Sequence, residues 1–328
     1  MAAQAKRYPL NQSPLYRIQG KEKFKRALGL DWDAIPSLLS SPGYRTWQTK
    51  GEKPRDIQAP INWMNAVHGR LAKLLSRIEV PDYVFSQKGR SYADNAHQHV
   101  GRHPVIKTDI HRFYPSVSRA MVFRMFREDF CCAEDVAHHL ADICCFQQKH
   151  LPTGSPLSGR VAFFAARPLF EEIRRLADAH GCKLTIYVDD ISLSGPKATR
   201  KLLGEVRELI SRHGLKTTER KSKSFSPNAA KSVTGVVIVG SELRLPNERH
   251  KKMHEARLAL RTADTTEKQA LKRQLNGREQ EAAQVLRLND NKTLLGAQTG
   301  APSQSELSCP ENAYLSCSST AKAGRRRI

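Results

Sequence analysis

Two adjacent carboxylates, Asp189 and Asp190, close a run of strand-forming residues, Leu184-Thr185-Ile186-Tyr187-Val188. Ser192-Leu193-Ser194-Gly195-Pro196 follows at once, and the pattern reads as a β-hairpin with the acids at its tight turn. Paired acids on a turn repel each other unless a positive group sits beside them. A divalent metal is the simplest such group, and phosphoryl or nucleotidyl transfer is a common use of it. A third acid, Asp109, lies at the end of another predicted strand, Pro104-Val105-Ile106-Lys107-Thr108-Asp109-Ile110. Adjacent antiparallel strands of one sheet would bring it to Asp189. Two-metal nucleotidyl transfer needs carboxylates that clamp two ions about 3.5–4 Å apart. One ion activates the attacking hydroxyl and the other neutralises the leaving pyrophosphate. Taken singly, Asp109 reads as well as a turn cap, and the Asp pair as a solvated hairpin tip. Their order, together with the loops between them, favours the chemistry.

The elements that must hold these acids follow from periodicity. Helices are expected over Gly20–Leu30, Asp31–Leu39 and Asn62–Ile78, the last with Met64, Val67, Leu71, Leu74, Leu75 and Ile78 on one face. Asp56–Pro60 reads as a short strand after a basic turn, Lys50–Arg55. Gln87-Lys88-Gly89-Arg90-Ser91 is a basic glycine loop before a short helix, Tyr92–Val100. Further helices are expected over Arg119–Arg127 and Glu134–Phe146, and a long one runs from the loop Leu151–Gly159 to about Ala179. Lys201–His213 is amphipathic, Ser232–Val239 and Leu243–Leu245 suggest a second hairpin through Gly240, and Asn247 to about Leu288 is helical and basic. The boundaries read from this pattern are a helical extension at 1–50, a body at 51–245, a helical unit at 246–290 and a disordered Ser-, Thr-, Gly- and Ala-rich tail at 291–328.

The chain has 328 residues, with 54 Lys and Arg against 32 Asp and Glu, a net charge of +22. Such an excess favours a polyanionic partner. No apolar run approaches about 20 residues and the first residues lack an apolar signal core, so neither a membrane span nor secretion is expected, and nucleic acid in the cytoplasm is the better reading. The 7 cysteines have no disulfide-scaffold spacing. Cys131-Cys132 and Cys144-Cys145 fall on apolar helical faces and lack zinc-ligand spacing, so they read as reduced, buried thiols.

The motifs resemble those of bacterial reverse transcriptases. Asp109-Ile110-His111-Arg112-Phe113-Tyr114-Pro115-Ser116 is similar to the first palm motif, Leu151-Pro152-Thr153-Gly154-Ser155-Pro156-Leu157-Ser158 to the second, and Tyr187-Val188-Asp189-Asp190 to the third. Pro54-Arg55-Asp56-Ile57 with Pro60, and Lys88-Gly89-Arg90-Ser91, resemble the fingers motifs. Asn95-Ala96-His97-Gln98-His99 and Val233-Thr234-Gly235 resemble two short elements of the retron group. The resemblance covers about residues 45–245.

It implies an α/β (α+β) fold, a right-hand polymerase with fingers, an antiparallel-sheet palm and a small helical thumb. It implies RNA-directed DNA synthesis with two Mg²⁺ ions and dNTPs, a structured noncoding RNA as template and primer, a branched RNA–DNA product, and an antiphage role beside an effector protein. Asp109 and Asp189 would hold both metals, with Asp190 more peripheral. Arg55, Lys88 and Arg90 would grip the triphosphate, guanidinium pairing well with phosphate oxygens. Tyr114 would collide with a 2′-OH and select deoxynucleotides. Gly154 would let the backbone approach the templating base pair. Lys221 would stand beside the leaving phosphate, a solvated basic face being the rival reading. Asn95, His99, Val233, Thr234, Gly235, Arg257 and Arg261 would face RNA. The chain departs from the pattern at Thr153, where Gln is usual, at Phe163, where Asn is usual, and at Val188, where many members have Ala. Intron-encoded, diversity-generating and abortive-infection reverse transcriptases, an RNA-dependent RNA polymerase, and a non-catalytic RNA-binding scaffold are the alternatives.

Overall fold

The computed structural model describes residues 7–51 and 54–296. Glu52 and Lys53 of the expected basic turn, and residues 297–328 of the expected disordered tail, lie outside the described residues. Helices α1 (Lys21–Leu28) and α2 (Ile35–Ser40) come first. Phe24, Ala27 and Leu28 form the buried stripe of α1, and Gly29, at φ 70°, ends it in the left-handed conformation. The strands β1 (Tyr44–Gln48) and β2 (Asp56–Pro60) pair antiparallel, Tyr44 opposite Pro60 and Gln48 opposite Asp56. This ribbon straddles the expected boundary at residue 50, because β1 takes its partner from the body.

Helix α3 (Asn62–Ser76) buries Met64, Val67, Leu71, Leu74 and Leu75, as its period requires. Helix α4 (Tyr92–His97) starts at a capping box between Ser91 and Asp94. Strand β3 (Val105–Asp109) leads through α5 (Phe113–Ser116) and α6 (Arg119–Arg124) into a π turn at Met125–Asp129, then α7 (Glu134–Cys144). The single helix expected up to Ala179 is two, α8 (Ser158–Ala165) and α9 (Arg167–Ala179). Pro168 lies in the first turn of α9, where its missing N–H costs least and where it breaks the helix before it.

Strands β4 (Lys183–Tyr187) and β5 (Asp190–Ser194), helix α10 (Arg200–Arg212) and strand β6 (Lys223–Phe225) complete the main sheet. Its order is β4-β5-β3-β6, with every pair antiparallel. Helix α9 packs on β4 and α10 on β3. Their apolar faces (Leu169, Phe170 and Ile173; Leu202, Val206 and Ile210) join Ile106, Ile191, Leu71, Phe126 and Phe130 in one large core. Burying each such side chain contributes about 1.5–3 kcal/mol, so this core fixes the sheet that carries the acids.

A second sheet has the order β7 (Lys231–Val233), β8 (Val236–Val239), β9 (Glu242–Arg244). The strand expected over Ser232–Val239 is therefore a hairpin. Thr234 and Gly235 form its two-residue loop, both with positive φ (43° and 81°), the signature of a type I′ turn. The hairpin through Gly240 is present as expected. Helices α11 (Asn247–Thr262) and α12 (Thr265–Gly296) pack together and, with α4, cover this sheet around Val233, Ile238, Leu243, Met253 and Val285. The helix persists beyond Leu288, where the sequence pattern suggested an end, to Gly296.

The architecture is α/β with antiparallel strand pairs throughout the described residues. Among them, no helix is long and apolar enough to cross a membrane. Cys132, Cys144, Cys145 and Cys182 are buried free thiols, Cys131 is a half-buried one, and burial pushes the Cys145 thiol up to about 12.

Candidate active site

Strand β3 ends at Asp109, directly opposite Asp190 at the start of β5. Tyr187 pairs with Asp190, so Val188 and Asp189 alone form the β4–β5 loop. The expected hairpin is present, but Asp190 is a strand residue and only Asp189 lies in the turn. Val188 has φ 59°, a costly conformation for a β-branched residue. It persists because the flanking strands are fully paired and Val188 packs on the large core. The Asp189 carbonyl accepts from the Ile110 N–H at 3.1 Å, which ties the turn to the end of β3.

This pairing puts the three acids at the same end of β3, β4 and β5. Asp189 lies close enough to Asp109 for the two carboxyls to act on each other electrostatically. Burial, then the charges of Asp109 and Asp190, push the Asp189 carboxyl well above the usual carboxylate range. Asp190 is raised by burial and by Asp109, while Lys107 and Lys221 oppose the shift. Asp109 is 2% exposed, and both its oxygens are engaged. The Thr218 hydroxyl donates to Oδ1 at 2.7 Å and Lys221 Nζ to Oδ2 at 2.6 Å. The Thr218 N–H also donates to the Asp109 carbonyl at 3.0 Å. Burial lowers the pKa of Lys221, but its bond to and charge attraction from Asp109 outweigh this and leave it raised. Burial lowers that of Lys107, two residues before Asp109.

The donor set suits a hard divalent cation: carboxylate oxygens crowded enough to resist ionising together, in a pocket where a lysine already balances one of them. Among the described residues no three His, Cys, Asp or Glu side chains are gathered as a ready metal site. Asp190 lies opposite Asp109 and also feels the charges of Lys107 and Lys221.

Two loops frame the acids. Phe113 is in the core and Tyr114 is the half-buried aromatic, its pKa raised by burial and then by Asp189. A Cβ on Gly159, in α8, would be 3.5 Å from the Tyr114 hydroxyl. Gly154 makes a close approach, but to protein: a Cβ there would sit 2.9 Å from the Gln58 carbonyl oxygen and 2.9 Å from Ile57 Cγ2. Gly154 N–H donates to that carbonyl at 3.1 Å, and Thr153 bonds Gln58 Oε1 through its N–H at 3.0 Å and the Asp56 carbonyl through its hydroxyl at 2.5 Å. Thr153, where the family has Gln, therefore clips the loop to the ribbon. Arg55 stands exposed at the start of β2, and Arg112 Nη2, just after β3, is 3.9 Å from its neighbour Asp56.

Other expected residues are elsewhere. Arg90 bonds the carbonyls of Asp82 and Val84 and stacks over Phe85 at 4.6 Å. It lines an edge cavity of about 560 Å³ with Arg174, Cys182 and Lys183, at the end of β4 remote from the acids. Its guanidinium is held at that edge by these contacts. Lys88 is exposed on the same loop, its carbonyl accepting from Arg7 at 3.2 Å.

Asn95, His99 and Val233 have no exposed surface, so the expectation that they face RNA is corrected: all three are interior. His99 bonds Ser194 Oγ at 2.7 Å and Thr185 Oγ1 at 2.6 Å, stapling α4 to β4 and β5. The Thr234 hydroxyl donates to the Tyr92 carbonyl at 2.7 Å, and Gly235 supplies the turn, so the triplet shapes a hairpin. Arg257 is exposed on α11 with Glu279 at 2.8 Å, and Arg261 is exposed nearby. Sequence reasoning missed Thr218, Lys107 and Gln58. Only the Ile110–Thr217 bridge brings Thr218 to Asp109, and only the contact between ribbon and loop brings Gln58 to Thr153, whereas Lys107 could have been found from its position two residues before Asp109 on a strand.

Residues 61–243 match the family described as reverse transcriptase (RNA-dependent DNA polymerase). The chain is 27% identical to the Retron Ec86 reverse transcriptase of Escherichia coli over 238 residues, 70% of this chain and 74% of that protein. It is 23% identical to the Retron Ec48 reverse transcriptase of Escherichia coli over 299 residues, 83% of this chain and 72% of that protein. To the Retron Se72 reverse transcriptase of Salmonella heidelberg it is 25% identical over 233 residues, 67% of this chain and 60% of that protein.

Proposed function

The chain belongs to the reverse transcriptase family and is an RNA-directed DNA polymerase of retron type, and on that premise we propose that Asp109, Asp189 and Asp190 are its catalytic acids. The observation that carries this is the pairing of Asp109 with Asp190 across β3 and β5, with Asp189 in the adjoining turn. The main sheet, with α9 and α10, is the palm; the ribbon, which begins at Tyr44, and the elements around it form the fingers; α11 and α12, which reach to Gly296, form the thumb.

Asp109 and Asp189 would hold two Mg²⁺ ions, which supply activation of the attacking hydroxyl and charge neutralisation at the leaving pyrophosphate. The protein contributes position. Thr218 fixes the Asp109 carboxylate, and the Val188 turn fixes Asp189. Tyr114 presents a ring beside the acids that excludes a ribose 2′-OH. Arg55, on a ribbon clipped to the Thr153–Gly154 loop, meets the triphosphate, and Lys221 balances charge beside the acids. Exposed Arg257 and Arg261 contact the phosphates of the template–primer duplex, so that binding weakens steeply with salt.

The attacking group is a primer 3′-OH or, at initiation, a 2′-OH of a cognate structured noncoding RNA. The product is then a branched RNA-linked single-stranded DNA, made in the cytoplasm and serving antiphage defence with an effector protein. This last part rests on resemblance alone. The test is to purify the chain with its nucleic acid and look for a nuclease-resistant RNA–DNA hybrid carrying a 2′-branch. Copurified RNA without attached DNA, in a preparation that extends primers, would contradict the branched product while leaving the polymerase intact.

A further inference from the structure

Asp109 and the cation bonded to it differ sharply in burial. The Asp109 side chain is 3% exposed and that of Lys221 is 55% exposed, with Nζ 2.6 Å from Oδ2. Thr218 holds the other oxygen at 2.7 Å and the main chain of Asp109 at 3.0 Å. The carboxylate is thus anchored independently of the lysine. Lys221 ends a single 3-10 turn, Glu219–Lys221, and its N–H is bonded to the Thr218 carbonyl at 3.0 Å. Its backbone is fixed, while its long stem reaches the acid from solvent. A divalent ion that binds Asp109 through Oδ2 competes with the ammonium for that oxygen.

We propose that Lys221 is a displaceable internal cation. It neutralises Asp109 in the free enzyme, where a buried carboxylate without a partner would be costly, and metal entry requires its release from Oδ2. The proposal rests on the reading of Asp109 as a metal-facing acid. The ammonium competes with the incoming ion, and because the pair is open to solvent on the lysine side the competition is modest, roughly three- to tenfold in affinity. Release also frees a lysine beside the acids at the moment the metals arrive, which couples metal loading to the placement of a positive charge near the reacting phosphates.

The experiment is calorimetric titration of MnCl₂ into the full chain, without nucleotide or nucleic acid, for the wild type, Lys221→Met, Lys221→Gln, Lys221→Arg and Asp109→Asn. Circular dichroism and the Mn²⁺-dependent rise in Tm are read on the same samples. Tighter Mn²⁺ binding by roughly three- to tenfold in Lys221→Met and Lys221→Gln, with Lys221→Arg within about twofold of wild type, is the expected result. Equal or weaker binding by both neutral variants, correctly folded, overturns the role of the lysine and leaves the catalytic reading of the acids standing. Unchanged Mn²⁺ binding in Asp109→Asn removes the premise and the proposal with it.

Discussion

The Thr218 hydroxyl donates to Asp109 Oδ1 at 2.7 Å, so a residue from the segment after α10 aims the most buried acid of the cluster. Thr218→Val keeps the shape and removes the donor. A neutral hydrogen bond of this kind contributes about 1 kcal/mol. The expected outcome is a fall in kcat of about fivefold, with the KM for dNTP nearly unchanged and little loss of Tm. A variant with wild-type kcat would show that Asp109 needs no such anchor.

Gly154 is packed against β2 too closely for a side chain. Gly154→Ala puts a methyl 2.9 Å from the Gln58 carbonyl, backbone that has little room to move. Overpacking of this sort costs about 1–3 kcal/mol. The ribbon carrying Arg55 should loosen, raising the KM for dNTP and lowering Tm. Gly204, in α10, has open space around it, and Gly204→Ala should instead be neutral or stabilising by roughly 0.5–1 kcal/mol. Equal Tm for the two variants would contradict the clip between ribbon and loop.

Tyr114 is a half-buried ring within reach of the Asp189 charge, whereas Phe113 is core. Tyr114→Ala should relax discrimination between dNTP and rNTP by about tenfold or more in kcat/KM, the usual scale for removing a steric block. Unchanged selectivity in a single-nucleotide incorporation assay would reject that role.

His68 and His99 are buried, and burial lowers their pKa values to about 4 and about 3, from 6.5. The folded state binds these protons less readily than the unfolded chain. The stability they contribute is fully present above about 6.5 and is lost as pH falls from there toward 3–4. Urea midpoints should therefore drop steeply between pH 6.5 and 4, and His99→Gln, which keeps polar atoms near Ser194 and Thr185, should flatten that slope. A slope identical to wild type would mean that His99 is not buried as a neutral ring.

The positions of the three acids were legible because each lies at or next to the end of a strand with a strong local signature, and the antiparallel sheet puts those ends together. The main sheet strands and the faces of α3 and α10 were legible for the same reason, as period and burial agree. What was not legible depends on tertiary contacts. Asn95 and His99 look like a polar motif for a ligand, yet α4 turns them against β4 and β5. Arg90 has the composition of an anion grip, but its guanidinium finds carbonyls and Phe85 first. Thr234-Gly235 reads as strand because a two-residue type I′ turn leaves the alternation on either side intact. Thr218 carries no local signal, since only the bridge between Ile110 and Thr217 brings it to Asp109.

The central claim is that Asp189, in the β4–β5 turn beside Asp109, works in catalysis rather than in folding or RNA binding. The direct measurement is primer extension on an RNA template by Asp189→Asn, alongside RNA affinity and Tm of the same preparation. Loss of extension on the order of 10²–10³-fold or more, with RNA binding and Tm near wild type, is the predicted result. Extension within a few-fold of wild type would contradict the account.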